Sequence, residues 1–200
     1  MKIQHFMALV VLSLPTVPGA RAAVLAGPLT NAANAHAYYL LSADTWTASE
    51  AEARGLGGHL VTINDAAENQ WVRNTFFPLT GVPYASLWIG LNDAANEGQF
   101  VWANGEPVTF TYWYPGVGGE DYAAIRHPSE NWPTGSWKDL SDTSGLQNPT
   151  APTFGVVELT VAVTLPADQF MPGSARLNGL ANPSGSPTRV WFEWGGIAAE

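Results

Sequence analysis

The sequence predicts an α+β domain from the order of its secondary-structure signals. Signals for two helices lie in the first half of the chain, whereas short strand patterns separated by turn-rich stretches fill the second half. Helices that precede a run of strands, instead of alternating with them, are typical of this fold class. The chain has no cysteine, but its 9 tryptophans, 8 phenylalanines and 6 tyrosines supply large apolar side chains for a core without disulfides.

The N-terminus has the pattern of a secretory signal peptide. Lys2 precedes an apolar run at 6–14, and Ala20-Arg21-Ala22 has the small-x-small spacing of a cleavage site. We therefore predict that residues 1–22 are a signal peptide and that the protein is extracellular or on the cell surface, with an uncleaved anchor as the alternative. The run is shorter than the ~20 residues that span a bilayer, so we expect no membrane insertion.

The charge balance excludes one class of partner. The formal net charge is −9, from 8 basic and 17 acidic residues. A surface that binds phosphates needs clustered lysine or arginine, so we expect no nucleic-acid partner.

The first helix is predicted to follow a strand at 37–41. Thr47 and Glu50 have the spacing of a capping box, and Trp46 before them suits a hydrophobic staple. Glycines within 55–58 favour the end of this helix, because glycine adopts positive φ freely. A strand is predicted at 59–63.

The second helix is predicted to begin at Asp65, with Glu68 three residues further on. Its apolar positions fall on one helical face, namely Ala67, Trp71, Val72, Thr75 and Phe76. Pro78 is predicted to end it.

The second half is predicted to consist of strands and long loops. Strand patterns occupy 87–91, 99–102 and 108–113, and Asn104-Gly105 favours a tight hairpin between the last two. The stretch 115–152 is rich in glycine, proline, asparagine and serine, with short strands predicted at 122–126 and around Trp137. A last strand is predicted at 155–163. Long loops on a rigid sheet are where ligands usually bind.

Several motifs together carry a family resemblance. They are Gly57-Gly58-His59-Leu60, Trp88-Ile89-Gly90-Leu91-Asn92-Asp93, Glu97-Gly98-Gln99-Phe100-Val101-Trp102, Trp113, Glu120-Asp121 and Gly135-Ser136-Trp137-Lys138-Asp139. In order and spacing they resemble the C-type lectin-like domain over 35–163, most closely its cysteine-free bacterial extracellular form. The resemblance implies that fold and a recognition function without catalysis, with glycan as the default ligand.

The resemblance also implies which positions replace the family's disulfides. Ala53 and Val157 stand at one pair, and Tyr122 with a residue near Asp142 at the other. We therefore expect the first helix to contact the last strand.

The sugar-binding calcium site of the family is incomplete in this sequence. Family lectins take calcium ligands from a Glu-Pro-Asn or Gln-Pro-Asp loop, from a Glu-Asp pair and from Trp-Asn-Asp. Residues 114–119, Tyr-Pro-Gly-Val-Gly-Gly, contain neither tripeptide, and Lys138 replaces the middle asparagine. Glu120 and Asp139 are then remnants of the site, and we hypothesise that Lys138 neutralises them in place of the metal.

A second, structural calcium ion is implied at residues that match the family's auxiliary site, which are Asp93, Glu97, Glu120 and Asp121. The alternative is that Asp93 and Glu97 cap turns through backbone amides. Tyr114 and Trp132 are candidates for stacking on sugar rings without calcium, although Trp132 would equally suit a position covering the core.

No enzyme is predicted. His36, His59 and His127 lack a nucleophile elbow or a zinc motif around them, and His59 is expected to be a structural residue at the start of its strand.

The C-terminal remainder is predicted to be separate from the domain. Residues 164–173 have a linker composition. Residues 174–200 resemble the first hairpin of a fibronectin type III-like module, which would be an incomplete β-sandwich.

Two functions therefore remain open from the sequence. The first is an exported module that binds glycan. The second is a calcium-independent module of the same fold that binds an extracellular protein or serves as an adhesion spacer in a larger surface protein.

Overall fold

The computed structural model describes residues 22–116, 118–127, 135–147, 149–159, 163–171 and 174–180. The predicted signal peptide apart from Ala22, the candidate ligand residue Trp132 and residues 181–200 lie outside these ranges. The elements are β1 (Val24–Thr30), β2 (Ala37–Ala43), α1 (Trp46–Gly55), β3 (His59–Leu60), α2 (Ala66–Thr80), β4 (Ser86–Asn92), β5 (Val101–Trp102), β6 (Tyr122–Ile125), β7 (Trp137–Leu140), α3 (Ser144–Gln147), β8 (Thr153–Leu159), β9 (Val163–Met171) and β10 (Ser174–Leu180).

The strands form one mainly antiparallel sheet, which confirms the predicted α+β class. Its order is β1-β2-β8-β4-β6-β7, with β3 paired to β8 and β5 paired to β4. Only the β4–β8 contact among these pairs is parallel. The last strand of the domain therefore lies in the middle of the sheet, between β2 and β4.

The core is built from aromatic and aliphatic side chains, as the cysteine-free composition predicts. The largest fully buried side chains are the indoles of Trp88, Trp102 and Trp137. The Trp137 ring meets those of Trp102, Phe110 and Trp113 edge to face, with centroids 5.7 to 5.9 Å apart. Such pairs contribute beyond the area that they bury.

Helix α1 begins earlier than the sequence pattern predicted, so the proposed capping box is wrong. Thr45 is the N-cap, and its side chain accepts a hydrogen bond from the amide of Ala48. The amide and hydroxyl of Thr47 instead donate to Asp142. The carboxylate of Glu50 accepts from the Leu60 amide at 2.9 Å, which ties α1 to β3.

Helix α2 begins as predicted but continues past Pro78. The Asp65 side chain accepts from the Glu68 amide at 2.8 Å and caps the helix. Pro78 lies within the last turn, where its missing N–H removes only one helical hydrogen bond. The helix ends at Thr80, and Gly81 follows in the left-handed conformation (φ 66°).

The predicted strand at 108–113 does not form. β5 pairs with β4, and Asn104 closes a local turn by accepting from the Glu106 amide at 2.9 Å. Trp113 contributes one isolated bridge to Trp137. The pattern also missed β1, an edge strand that tolerates Pro28 because an edge N–H needs no partner.

The structure differs from the predicted linker at 164–173, because β9 occupies most of it. β9 and β10 form a separate two-stranded antiparallel sheet. No helix in the described part of the chain is long and apolar enough to cross a membrane.

Candidate functional site

Asp139 is the best-defined remnant of the predicted sugar site. It lies on β7, and its Oδ2 accepts from the backbone amides of Gly118 at 2.7 Å and Glu120 at 3.3 Å. Gly118 and Gly119 have φ of 144° and 108°, a region that side chains disfavour. The glycine-rich loop can therefore fold its amides onto the carboxylate, while the Glu120 side chain stays exposed.

Lys138 and Asp139 leave β7 on opposite faces, because successive strand residues alternate. Lys138 is paired with Ala124 and Asp139 with Ala123 of β6. The structure brings Asp139 to loop amides, so neutralisation by Lys138 stays a hypothesis.

Tyr114, four residues before Gly118 in the glycine-rich loop, is half-buried. Its amide donates to the Trp137 carbonyl at 2.8 Å. The Arg126 guanidinium carbon is 4.6 Å from the centroid of the Tyr114 ring, a cation–π contact. The ring is therefore held in place, with Arg126 over one of its faces.

Asp93 caps a turn, as that alternative predicts, while the metal role implied for it stays a prediction. It is 2 % exposed, and its Oδ2 accepts from the Gly98 amide at 2.7 Å. Its own amide donates to the Asp121 carbonyl at 3.0 Å. Glu97, within the same turn, is exposed.

The carboxylates implied for calcium are not gathered into a metal site in the described part of the chain. Calcium takes 6–8 oxygen ligands, yet the described residues contain no group of three or more histidine, aspartate or glutamate side chains arranged to hold a metal. One carboxylate oxygen of Asp93 and one of Asp139 already accept backbone amides. The function proposed below therefore does not require a bound metal ion.

Sequence reasoning missed a buried polar network at the start of α2. The Tyr38 hydroxyl lies 2.8 Å from Glu68 Oε1 and 3.2 Å from Glu158 Oε1. His36 Nδ1 lies 2.5 Å from Glu158 Oε1, and Asn34 donates to both Tyr38 and Glu68. Burial and the neighbouring Glu158 carboxylate raise the pKa of Glu68 to about 7.

The three histidines considered in the sequence each contact a different side chain. His59 Nδ1 lies 2.7 Å from Glu50 Oε1, which confirms a structural role at the start of β3. The hydrogen bond to Glu158 raises the pKa of His36. The His127 ring meets the Phe77 ring edge to face at 5.0 Å. The three imidazole rings therefore have three different neighbours.

A groove between α2 and the segment before Trp113 was also not predicted. Its volume is about 450 Å³, and it is lined by Ala66, Asn69, Gln70, Arg73, Phe110 and Tyr112. The helical spacing of the first four was visible in the sequence, but no pattern indicated that residues 110–112 would face them.

This geometry agrees with the comparisons with known proteins. Residues 42–148 match the model of the lectin C-type domain, which is more than half of the chain. The chain therefore belongs to the C-type lectin domain family, and the predicted C-type lectin fold is confirmed.

Two relatives with similar sequences are named as lectins. The alpha-N-acetylgalactosamine-specific lectin of Patiria pectinifera is 36% identical over 88 residues, which are 42% of this chain and 51% of that protein. Lectin BRA-3 of Megabalanus rosa is 46% identical over 57 residues, 28% of this chain and 32% of that protein. The chain thus spans about half of the first relative and about a third of the other.

Solved structures give the same fold. The C-type lectin CEL-I from Cucumaria echinata has a TM-score of 0.53 at 29% identity, covering 62% of this chain and 90% of that one. Human lithostathine has a TM-score of 0.52 at 21% identity over 64% and 95%. The comparisons give no support to a bacterial origin or to a fibronectin type III module.

Proposed function

We propose that this chain is an exported lectin domain that binds glycan without calcium, on the surface formed by Glu120, Asp139 and Tyr114. The observation that carries the proposal is the pair of hydrogen bonds from the Gly118 and Glu120 amides to Asp139. These amides hold the carboxylate that the resemblance assigns to the metal. The curated relatives that are named lectins support glycan as the ligand.

The chemistry of this surface suits a sugar. The exposed Glu120 carboxylate can accept hydrogen bonds from sugar hydroxyls, and aromatic rings such as that of Tyr114 pack against the apolar face of a pyranose. The anchored glycine loop fixes the position of Glu120, which reduces the ordering cost of binding.

Export is supported by the N-terminal pattern of an apolar run followed by Ala20-Arg21-Ala22. Expression with the native N-terminus, followed by N-terminal sequencing of protein from the medium, tests this part. The expected first residue is Ala23, whereas retention of Met1 would contradict cleavage.

A glycan array tests the ligand class. Wild-type protein is applied in calcium and again in chelator, beside the variants Glu120→Ala and Glu97→Ala, which each remove one exposed carboxylate. We expect the same glycans to be bound with and without chelator, and loss of that signal in Glu120→Ala alone. Binding that needs calcium, or that fails equally in Glu97→Ala, would contradict the proposal; an empty array would favour a protein partner.

A further inference from the structure

The groove beside α2 has a shape suited to a small ligand. Ala66, Asn69, Gln70 and Arg73 are spaced i, i+3, i+4 and i+7, so they share one face of the helix. Phe110 and Tyr112 form the opposite wall. The volume of about 450 Å³ lies within the range of roughly 300–1,000 Å³ typical of ligand pockets.

The base of the groove is fixed by Asn69. This side chain is 5 % exposed, and both ends of its amide are used. Nδ2 donates to the Gly135 carbonyl at 3.1 Å, and Oδ1 accepts from the Trp137 indole at 2.9 Å. The helix and the start of β7 are therefore tied together, so the groove does not have to form on binding.

Arg73 supplies a charge whose hydrogen-bonding capacity is largely unused by the residues that the structure describes. Its Nε is buried and has no hydrogen-bond partner among them. Its polar contact within the described residues is a long one, from Nη2 to Asn74 Oδ1 at 3.4 Å. A buried donor without an acceptor is unfavourable, and a guanidinium pairs best with a planar carboxylate through two parallel hydrogen bonds.

The other lining groups suit a sugar ring that carries this carboxylate. The exposed Gln70 amide can donate to and accept from hydroxyls. Tyr112 is 39 % exposed and, with Phe110, offers an aromatic wall for the apolar face of a pyranose.

We propose that this groove binds a uronic acid residue of an acidic glycan, with Arg73 pairing to its carboxylate and Tyr112 packing on its ring. The site shares no residue with the surface of Glu120, Asp139 and Tyr114, so it goes beyond the proposed function. The net charge of −9 opposes an anion only at long range, where salt screens it beyond about 8 Å.

The test uses two sugars that differ only at C6, where one carries a carboxylate and the other a hydroxymethyl group. The full exported chain is titrated in chelator with methyl β-D-glucuronide and with methyl β-D-glucoside, and backbone amide shifts are followed by NMR. We expect the glucuronide to bind at least tenfold more tightly, with the shifts concentrated at 66–73 and 110–112.

Variants test whether Arg73 is responsible for the preference for the glucuronide. Arg73→Gln should abolish the preference, whereas Arg54→Gln, an equal loss of charge at an exposed position of α1, should keep it. Tyr112→Ala should weaken both sugars alike. Equal binding of the two sugars by wild-type protein, which needs no variant to measure, would overturn the proposal, as would a preference that survives in Arg73→Gln.

Two further measurements test whether the groove selects a carboxylate and whether it is independent of the surface of Glu120, Asp139 and Tyr114. A sulfated glucoside that binds more tightly than the glucuronide would overturn the carboxylate assignment. Glu97→Ala, at an exposed turn outside both surfaces, should leave the glucuronide titration unchanged. The amide shifts at 66–73 and 110–112 report on this groove alone, so a failure here is distinguishable from a failure of the array experiment.

Discussion

Ala53 of α1 and Val157 of β8 are both fully buried and belong to one apolar cluster with Leu41. The cluster joins the first helix of the domain to its last strand. Because β8 lies in the middle of the sheet, this contact links residues that are far apart in the sequence and closes the domain.

A disulfide engineered at this contact should stabilise the domain. In the double variant Ala53→Cys, Val157→Cys the cross-link would close a loop of about 100 residues, and such bonds typically add about 2–4 kcal/mol by restricting the unfolded chain. Urea unfolding with and without reductant measures the gain. The single variant Ala53→Cys is the control, and failure of the two thiols to oxidise in the folded protein would contradict the contact.

Asn69→Ala should destabilise the domain by about 2–4 kcal/mol. It leaves the buried Trp137 indole N–H and the Gly135 carbonyl without their partners, and each such group costs about 1–3 kcal/mol. Asn74→Ala, at an exposed position of the same helix, should change stability by less than about 0.5 kcal/mol. Thermal unfolding compares the two; equal effects would show that the Asn69 tether is not stabilising.

The network around Tyr38 predicts that stability falls as pH rises. Glu68 normally titrates near 4.5, but its pKa in the fold is about 7. Between these values the folded state holds a proton that the unfolded state has lost, so unfolding becomes easier with rising pH. The pKa of His36 is also raised, from 6.5. Its stabilising contribution is present below 6.5 and is lost as pH passes its folded value.

Both groups therefore act in the same direction. We expect the free energy of unfolding to fall by about 1–3 kcal/mol between pH 5 and pH 8 through this network. Glu68→Gln should flatten the part of the profile between pH 4.5 and 7, whereas Glu97→Gln, at an exposed turn, should preserve it. Urea titrations at half-unit pH steps measure this, and a variant profile parallel to that of wild type would argue against the role of Glu68.

Calcium should not stabilise the described fold. A ligand present at one hundred times its Kd adds about 2.7 kcal/mol, which corresponds to several degrees in Tm for a domain of this size. We expect a shift below about 1 °C when millimolar calcium replaces chelator, with magnesium as the ionic-strength control. A rise of several degrees with calcium alone would restore the predicted site at Asp93, Glu97, Glu120 and Asp121.

How much of this structure the sequence predicts depends on how far apart in the chain the contacting residues lie. The Asp65 cap, the glycines after α1 and the family motifs are local signals, and the structure follows them. The position of Ala53 against Val157 was available only through the resemblance, and it is confirmed. The prediction that Pro78 ends α2 is wrong, because a proline near a helix end removes only one hydrogen bond.

The site was harder to predict because its contacts are nonlocal. The loop amides that hold Asp139 belong to Gly118 and Glu120, about twenty residues earlier in the sequence. The Asn69–Trp137 hydrogen bond, and the contacts of the Tyr38 hydroxyl with Glu68 and Glu158, join still more distant residues. No periodicity marks such contacts, since they depend on how the loops cross the sheet.

The most direct test of the central claim is a titration of one glycan selected by the array, performed in chelator and in millimolar calcium. If backbone amides hold Asp139 in place of a metal, the Kd is expected to be the same within about twofold in both buffers. Loss of affinity by tenfold or more in chelator, equivalent to about 1.4 kcal/mol, would contradict this expectation and show that a metal ion completes the site.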